Sequence, residues 1–245
     1  FTFKNAAGEE LAGLLELPEN PKAFALLAHC FTCGKDLKGA ARIARKLTEN
    51  AIAVLRFDFT GLGNSEGDFS NTNFSSNISD LLCAVDYLRR QYEAPSLLIG
   101  HSLGGSAILS IAGEVPEAKA VVTIGSPGEL THVKRLFKDD VENINQHGAY
   151  PVELAGRVFT LKKQMLDNIQ EHKIAHKVFA MNKPLLIFHA TEDDTVLIEQ
   201  AEKIFKAAKH PKSFISLGKA DHLLTHAQDA EYVADIIISW SECYL

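Results

Sequence analysis

Long apolar runs, basic clusters and enough cysteines for a disulfide framework are what this chain of 245 residues lacks. No apolar stretch approaches the roughly 20 residues of a membrane span. No run of lysine or arginine offers a phosphate-binding face, and acidic residues outnumber basic ones by 31 to 25, so nucleic acid is not expected as a partner. Four cysteines in a chain of this length make no disulfide framework, which points to a reducing cytoplasm. The start, Phe1-Thr2-Phe3-Lys4-Asn5, does not resemble a signal peptide. Internal repeats and low-complexity linkers are missing too. What is there is ordinary for a soluble globular protein: 46% hydrophobic and 23% charged residues, with a net charge of −6. The length suits one large α/β domain, so residues 1–245 are read as a single core.

The apolar pattern changes period along the chain. Leu11 to Leu17 reads as a strand closed by the turn Pro18-Glu19-Asn20-Pro21, and Phe1 to Lys4 is expected to pair with it. Ala23 to His29 is a continuous apolar run, as in a strand buried on both faces. A helix follows over Leu37 to Glu49, then a strand over Ala51 to Phe59, a glycine-rich loop at Gly61 to Gly67 and an amphipathic helix over Ile78 to Arg90. Ala120 to Gly125 is another buried strand. Pro184 to His189 and Ser213 to Leu217 are strands, Ile198 to Ala208 and Tyr232 to Trp240 helices. This alternation predicts a mostly parallel, doubly wound α/β sheet with helices on both faces. It breaks between residues 128 and 182, a stretch too long for a simple crossover. Its charged helical segments and one hairpin, Tyr150 to Leu154 with Arg157 to Leu161 around Ala155-Gly156, read as a cap insertion over the active site. Val152, Leu154, Val158 and Phe159 are its expected pocket wall.

One stretch carries chemistry. The apolar run Leu97-Leu98-Ile99 ends at Gly100-His101-Ser102-Leu103-Gly104, and Ala107 to Ala112 continues as a helix. This is G-x-S-x-G between a strand and a helix, the setting in which a sharp turn exposes a serine hydroxyl above the sheet. A side chain at Gly100 or Gly104 would collide with the crossing strand or helix. Ser102 also stands at a helix N-terminus, where free N–H groups favour developing negative charge.

A serine hydroxyl is a weak nucleophile and needs a base, itself oriented by an acid. After such a turn the partners come in the order acid, then histidine. Glu192, Asp193 and Asp194 all follow the strand ending at His189; Asp194 has the competing role of helix cap. Of ten histidines, His222 lies five residues past the last strand, with His226 as rival; His29, His101 and His189 end strands and suit structural roles. Two backbone N–H groups should form an oxyanion hole: that of Leu103, and by position that of Phe31 in the loop after the strand ending at His29.

That loop, Cys30-Phe31-Thr32-Cys33, also looks like a thioredoxin-type C-x-x-C, against which stands the complete hydrolytic set elsewhere. Both thiols are expected to pack beneath the loop, close to a helix N-terminus; the alternative is a disulfide between Cys30 and Cys33 that forms under mild oxidant, turns the Phe31 N–H away from the oxyanion and inactivates the site reversibly. Cys83 and Cys243 show no paired metal-ligand spacing. Gly61-Leu62-Gly63 lacks the third glycine of a dinucleotide site.

Together these residues resemble an α/β-hydrolase of the serine esterase and lipase type, over essentially the whole chain. His189-Ala190-Thr191-Glu192-Asp193-Asp194-Thr195-Val196 is similar to the H-G-x-x-D-x-x-V loop of that superfamily, whose aspartate is the fifth residue; the resemblance selects Asp193. Where the family has H-G-x in the oxyanion loop, this chain has His29-Cys30-Phe31, with cysteine for glycine. The segments 28–36, 56–63, 73–77 and 210–214 resemble the hydrolase domain often fused to an OsmC-like domain, so the chain is a stand-alone hydrolase or the N-terminal part of a longer protein. The resemblance implies cofactor-free hydrolysis of small-molecule esters with small or medium acyl chains by Ser102, Asp193 and His222. A thioesterase or acyltransferase would use the same triad. A non-catalytic binding module associated with the OsmC-like redox domain is the alternative of a different class.

Overall fold

Strands take shape where apolar residues run unbroken, and the unbroken runs fill the middle of one sheet. The computed structural model describes residues 1–30, 32–154 and 156–245. The strands are β1 (Thr2–Lys4), β2 (Glu10–Glu16), β3 (Ala23–Ala28), β4 (Ile52–Phe57), β5 (Leu97–His101), β6 (Ala120–Ile124), β7 (Ala149–Leu154), β8 (Arg157–Lys162), β9 (Leu185–His189) and β10 (Lys212–Ser216). The main sheet has the order β1-β2-β4-β3-β5-β6-β9-β10. β1 and β2 join antiparallel, and all pairings from β4 to β10 are parallel.

The helices are α1 (Lys38–Glu49), α2 (Phe74–Gln91), α3 (Leu103–Ile111), α4 (Val141–His147), α5 (Lys163–Glu171), α6 (Ile174–Met181), α7 (Glu199–Ala207) and α8 (Ala227–Ser241). α1 and α8 cover one face of the sheet; α2, α3, α6 and α7 cover the other. Alternate residues of one strand serve the two cores. Ala23, Ala25 and Leu27 of β3 face α1 and α8, while Phe24, Leu26 and Ala28 face α2 and α3. Each fully buried Leu, Ile or Phe contributes about 1.5–3 kcal/mol, so this double burial explains why the central strands read as continuous apolar runs. The fold is that of the α/β-hydrolases. No described helix is long and apolar enough to cross a membrane.

Three helices start earlier than expected: α3 at Leu103 rather than Ala107, α8 at Ala227 rather than Tyr232, and α2 at Phe74. α2 begins four residues before Ile78, because Asn73 and Ser76 form a reciprocal cap: Asn73 Oδ1 accepts from Ser76 N at 2.9 Å, and Ser76 Oγ accepts from Asn73 N at 2.9 Å. Within 128–182, α6 packs on α3 and α7 as part of the helical layer. The 3₁₀ segment Leu130–Phe137, α4, the β7–β8 hairpin and α5 lie before it in that stretch. The β7–β8 pairing runs from Ala149↔Lys162 to Leu154↔Arg157. Of the turn Ala155-Gly156, Ala155 lies outside the described residues.

β3 lies between β4 and β5, so the chain leaves β3 in one direction for β4 and resumes on its other side with β5. A crevice opens at the carboxyl ends of strands at such a reversal. Residues that follow β3, β5 and β9 meet there.

Candidate active site

Ser102 occupies a backbone conformation that an L side chain seldom adopts, with φ 54° and ψ −129°. The glycines on either side allow it. A Cβ on Gly100 would stand 2.3 Å from Gly105 Cα, and one on Gly104 would stand 2.3 Å from the His29 carbonyl oxygen. The Ser102 N–H donates to Ile124 O at 2.8 Å, which anchors the turn to β6. Leu103 opens α3, where the first N–H groups have no intrahelical acceptor.

The structure brings Asp193 and His222 to this serine. His222 Nε2 is 3.0 Å from Ser102 Oγ, and His222 Nδ1 is 2.7 Å from Asp193 Oδ2. The other Asp193 oxygen accepts from the backbone N–H groups of Thr195 (3.0 Å) and Val196 (2.9 Å). Burial alone would push the Asp193 carboxyl up, but the hydrogen bonds and charge it meets at His222 and Val196 outweigh it and hold the group below the usual carboxylate range. An ionised Asp193 accepts from His222 Nδ1–H, which leaves Nε2 free to accept from the serine hydroxyl. The rivals are elsewhere. Asp194 is exposed, touches Thr195 Oγ1 at 3.2 Å and does not cap α7, whose N-cap is Ile198. Glu192 pairs with Lys219 at the surface, and His226 is an exposed N-cap of α8.

Three further histidines tie the loops that carry these groups. His101 Nε2 donates to the His222 carbonyl at 2.7 Å, His189 Nε2 to the Val196 carbonyl at 2.7 Å, and His29 Nδ1 to the Cys30 carbonyl at 2.7 Å. All three are buried. Burial, together with the charge of His222, pushes His101 down to about 3, so its ring is neutral and serves as a fixed donor.

The loop after β3 is held by a group that sequence reasoning did not single out. Buried Asp58, just past β4, accepts from Lys35 N (2.6 Å), Lys35 Nζ (2.8 Å) and Asn64 N (3.0 Å). Burial opposes its charge, yet these bonds keep the carboxyl below its ordinary range. The backbone can approach so closely only because residue 63 is glycine: a Cβ there would stand 2.3 Å from Asp58 Oδ2. An aspartate closing an apolar strand was the available signal. Phe31, the expected second oxyanion donor, lies outside the described residues. Cys30 and Cys33 are joined as a disulfide rather than packed as two thiols, and α1 begins only at Lys38, so neither stands at its N-terminus. Among the described residues no cluster of three or more His, Cys, Asp or Glu is placed to hold a metal ion.

A cavity of about 270 Å³ opens beside Ser102 and His222. The loop after β3 supplies Cys30, Thr32 and Cys33; Thr195 and Leu223 flank the acid and the histidine; Leu136, Glu153 and Leu154 come from the 128–182 stretch. Of the four hairpin residues expected in the wall, Leu154 is there. Val152 is 1% exposed in the core, Phe159 packs against Phe69, and Val158 points to solvent at 70% exposure. Strand alternation separates Val158, which shares a face with Glu153, from Val152, Leu154 and Phe159 on the other; of those three, Leu154 alone stands in the last pair before the turn, Leu154↔Arg157. Leu136 and Glu153 were missed because a 3₁₀ turn and an exposed carboxylate leave no apolar period to read.

A family model described as serine aminopeptidase, S33, matches residues 19–139, a stretch that holds Ser102 and ends before Asp193 and His222. The esterase domain of a Rhodothermus marinus protein is 45% identical in sequence, with a TM-score of 0.81 over 100% of this chain and 97% of that one. Est1E from Butyrivibrio proteoclasticus, solved with ferulic acid, shares the fold at 22% identity, with a TM-score of 0.85 over 100% of this chain and 98% of that one. The bovine (Bos taurus) mitochondrial palmitoyl-protein thioesterase ABHD10 is 26% identical over 151 residues, which are 59% of this chain and 48% of the bovine protein. The chain thus spans about half the length of the curated relatives it matches first.

Proposed function

The chain belongs to the α/β-hydrolase superfamily, and from that premise we propose that it is a serine-dependent carboxylesterase acting on esters of small or medium acyl chains. The observation that carries this reading is the unbroken relay from Asp193 Oδ2 through His222 to Ser102 Oγ, with links of 2.7 and 3.0 Å, at the edge of a cavity. In the proposed reaction His222 Nε2 takes the hydroxyl proton as Ser102 Oγ attacks the ester carbonyl. The Leu103 N–H receives the oxyanion, with Phe31 as the second donor by position in the sequence. Asp193 holds the imidazole in the accepting tautomer and stabilises its cation. Collapse breaks the ester bond, and the alcohol leaves with the proton from His222. Water then attacks the acyl-enzyme with His222 again as base, releasing the acid and restoring Ser102. Water is the only co-reactant this cycle needs.

The size of the cavity supports short substrates. At about 270 Å³ it falls just below the range of roughly 300–1,000 Å³ typical of small-molecule sites. In this reading the 128–182 stretch is the cap that sets acyl preference through Leu136 and Leu154.

The thioesterase name of the bovine relative favours a second reading, thioester cleavage by the same residues. Against it stands the exposed carboxylate of Glu153 in the cavity wall, which suits an apolar palmitoyl chain poorly. A panel of p-nitrophenyl esters and matched thioesters with two to sixteen acyl carbons separates the readings. The esterase reading expects the highest kcat/KM on the shorter oxygen esters. Turnover confined to long-chain thioesters would overturn it.

A further inference from the structure

The cavity beside Ser102 carries one carboxylate among the described residues that line it, Glu153 of β7. The other lining residues include Leu136, Leu154, Thr32 and Thr195, all uncharged. Among the described residues no hydrogen bond or ion pair engages the Glu153 side chain. Arg157 on the facing strand lies over the Phe159 ring, 5.1 Å from its centroid, instead of pairing with it. Glu153 is therefore not used to hold the hairpin together, and its charge remains available to whatever enters the cavity.

We infer that Glu153 sets the charge preference of the site, favouring esters that carry an ammonium group a few bonds from the scissile carbonyl and disfavouring those that carry a carboxylate or phosphate. The inference rests on the esterase reading and names its substrate class. Coulomb attraction between unit charges about 6 Å apart gives about threefold in affinity in water and about tenfold where apolar walls halve the effective dielectric. Leu136, Leu154 and Leu223 are apolar residues of the lining, but Glu153 itself is exposed, so three- to tenfold is the expected range. A solvated carboxylate that merely decorates the hairpin would give no preference.

Two pairs of esters isolate the charge from size. Acetylcholine and 3,3-dimethylbutyl acetate differ on the alcohol side by a quaternary nitrogen against a quaternary carbon. Ethyl 4-(trimethylammonio)butyrate and ethyl 5,5-dimethylhexanoate differ in the same way on the acyl side. Hydrolysis is followed by alkali uptake at low ionic strength, and the readout is the cation-to-isostere ratio of kcat/KM within each protein. General effects of a substitution cancel in that ratio. The wild type should favour the cation by about three- to tenfold in at least one pair, mainly through KM, and 0.5 M salt should shrink the preference. Glu153→Gln should bring the ratio near one, and Glu153→Lys should invert it. A ratio near one in both pairs for the wild type overturns the inference, as does a preference that Glu153→Gln leaves intact. Hydrolysis of p-nitrophenyl butyrate run alongside distinguishes the two levels: if it occurs and the ratios are flat, the esterase reading stands without the charge preference; if it does not occur, both fall.

Discussion

Replacing Asp193 with asparagine changes the hydrogen-bonding sense of one atom and almost no volume. The carboxylate makes three bonds, two to the Thr195 and Val196 N–H groups through Oδ1 and one to His222 Nδ1 through Oδ2. An amide offers a single accepting oxygen. If that oxygen keeps the two backbone donors, the NH₂ group faces Nδ1 and drives the imidazole proton to Nε2. Nε2–H then points at Ser102 Oγ, 3.0 Å away, and the ring no longer accepts the serine proton. If the amide flips, its NH₂ faces two N–H groups instead, at about 1–3 kcal/mol for each donor left unsatisfied. The first arrangement is the cheaper, so the fold should survive with the wrong tautomer. The expected loss in kcat is about 10⁴, the effect of this change in a comparable triad. KM should move little, since Asp193 does not line the cavity. Asp194→Asn should change the rate by no more than about twofold, because the side chain is exposed and touches only Thr195 Oγ1. The assay is steady-state hydrolysis of p-nitrophenyl butyrate on proteins whose thermal unfolding is checked first. An Asp193→Asn enzyme within tenfold of wild type, or an Asp194→Asn enzyme with the larger loss, would refute the assignment.

Other expectations follow from single groups. Leu136→Ala enlarges the cavity on its cap side and should shift kcat/KM toward longer acyl chains by about tenfold, the worth of roughly one methylene in an apolar pocket; equal effects on all chain lengths would remove the cap from the specificity argument. Asp80, 2% exposed, accepts from Thr60 N at 2.9 Å, and burial raises its carboxyl to about 6. Its folded value exceeds its unfolded one, so the native state holds the proton more tightly; that stability is full below about pH 4 and lost as pH rises through about 6, by about 3 kcal/mol. Asp80→Asn cannot ionise, so urea denaturation at pH 4 and 7.5 should show the variant gaining about 2.4 kcal/mol on wild type across the interval; a pH-independent difference would contradict this. Thiol titration of unreduced, denatured protein should find Cys83 and Cys243 alone, two of the four cysteines, and all four after reduction; four thiols without reductant would break the Cys30–Cys33 pairing.

Much of the fold was legible because burial on both faces leaves a visible mark. β3, β4, β5, β6 and β9 are apolar runs closed by polar or glycine residues, and the periodic helices between them fix a parallel sheet. The start of α2 was hidden because its cap uses Asn73 with Ser76 rather than a serine with a glutamate. The turn at Ser102 was legible because its two glycines answer a packing need the structure displays, with backbone atoms 2.3 Å from where a Cβ would sit. His222 was selected by its distance from the last strand; position after β9 left Glu192, Asp193 and Asp194 open, and Asp193 was selected by the resemblance of its loop to that of the α/β-hydrolases. The cavity wall was not legible. Which hairpin residues face Ser102 depends on how the 128–182 stretch docks, and hydrophobicity marks Val152 and Leu154 alike although only Leu154 reaches the cavity. Glu153 illustrates the converse: a charged residue on a hairpin gives no sign in sequence of whether it will meet only solvent or also line a cavity.

The central claim is that Ser102 is the nucleophile, and the direct test is covalent. A fluorophosphonate reacts with a serine that a neighbouring base has activated, and intact-mass analysis counts the adducts. One phosphonyl group per chain is expected, mapped by peptide analysis to Ser102. Ser102→Ala should take up none, keep its thermal transition, and lose about 10⁴ to 10⁶ in ester turnover. Labelling at another residue, no labelling of the folded wild type, or substantial turnover by Ser102→Ala would contradict the account.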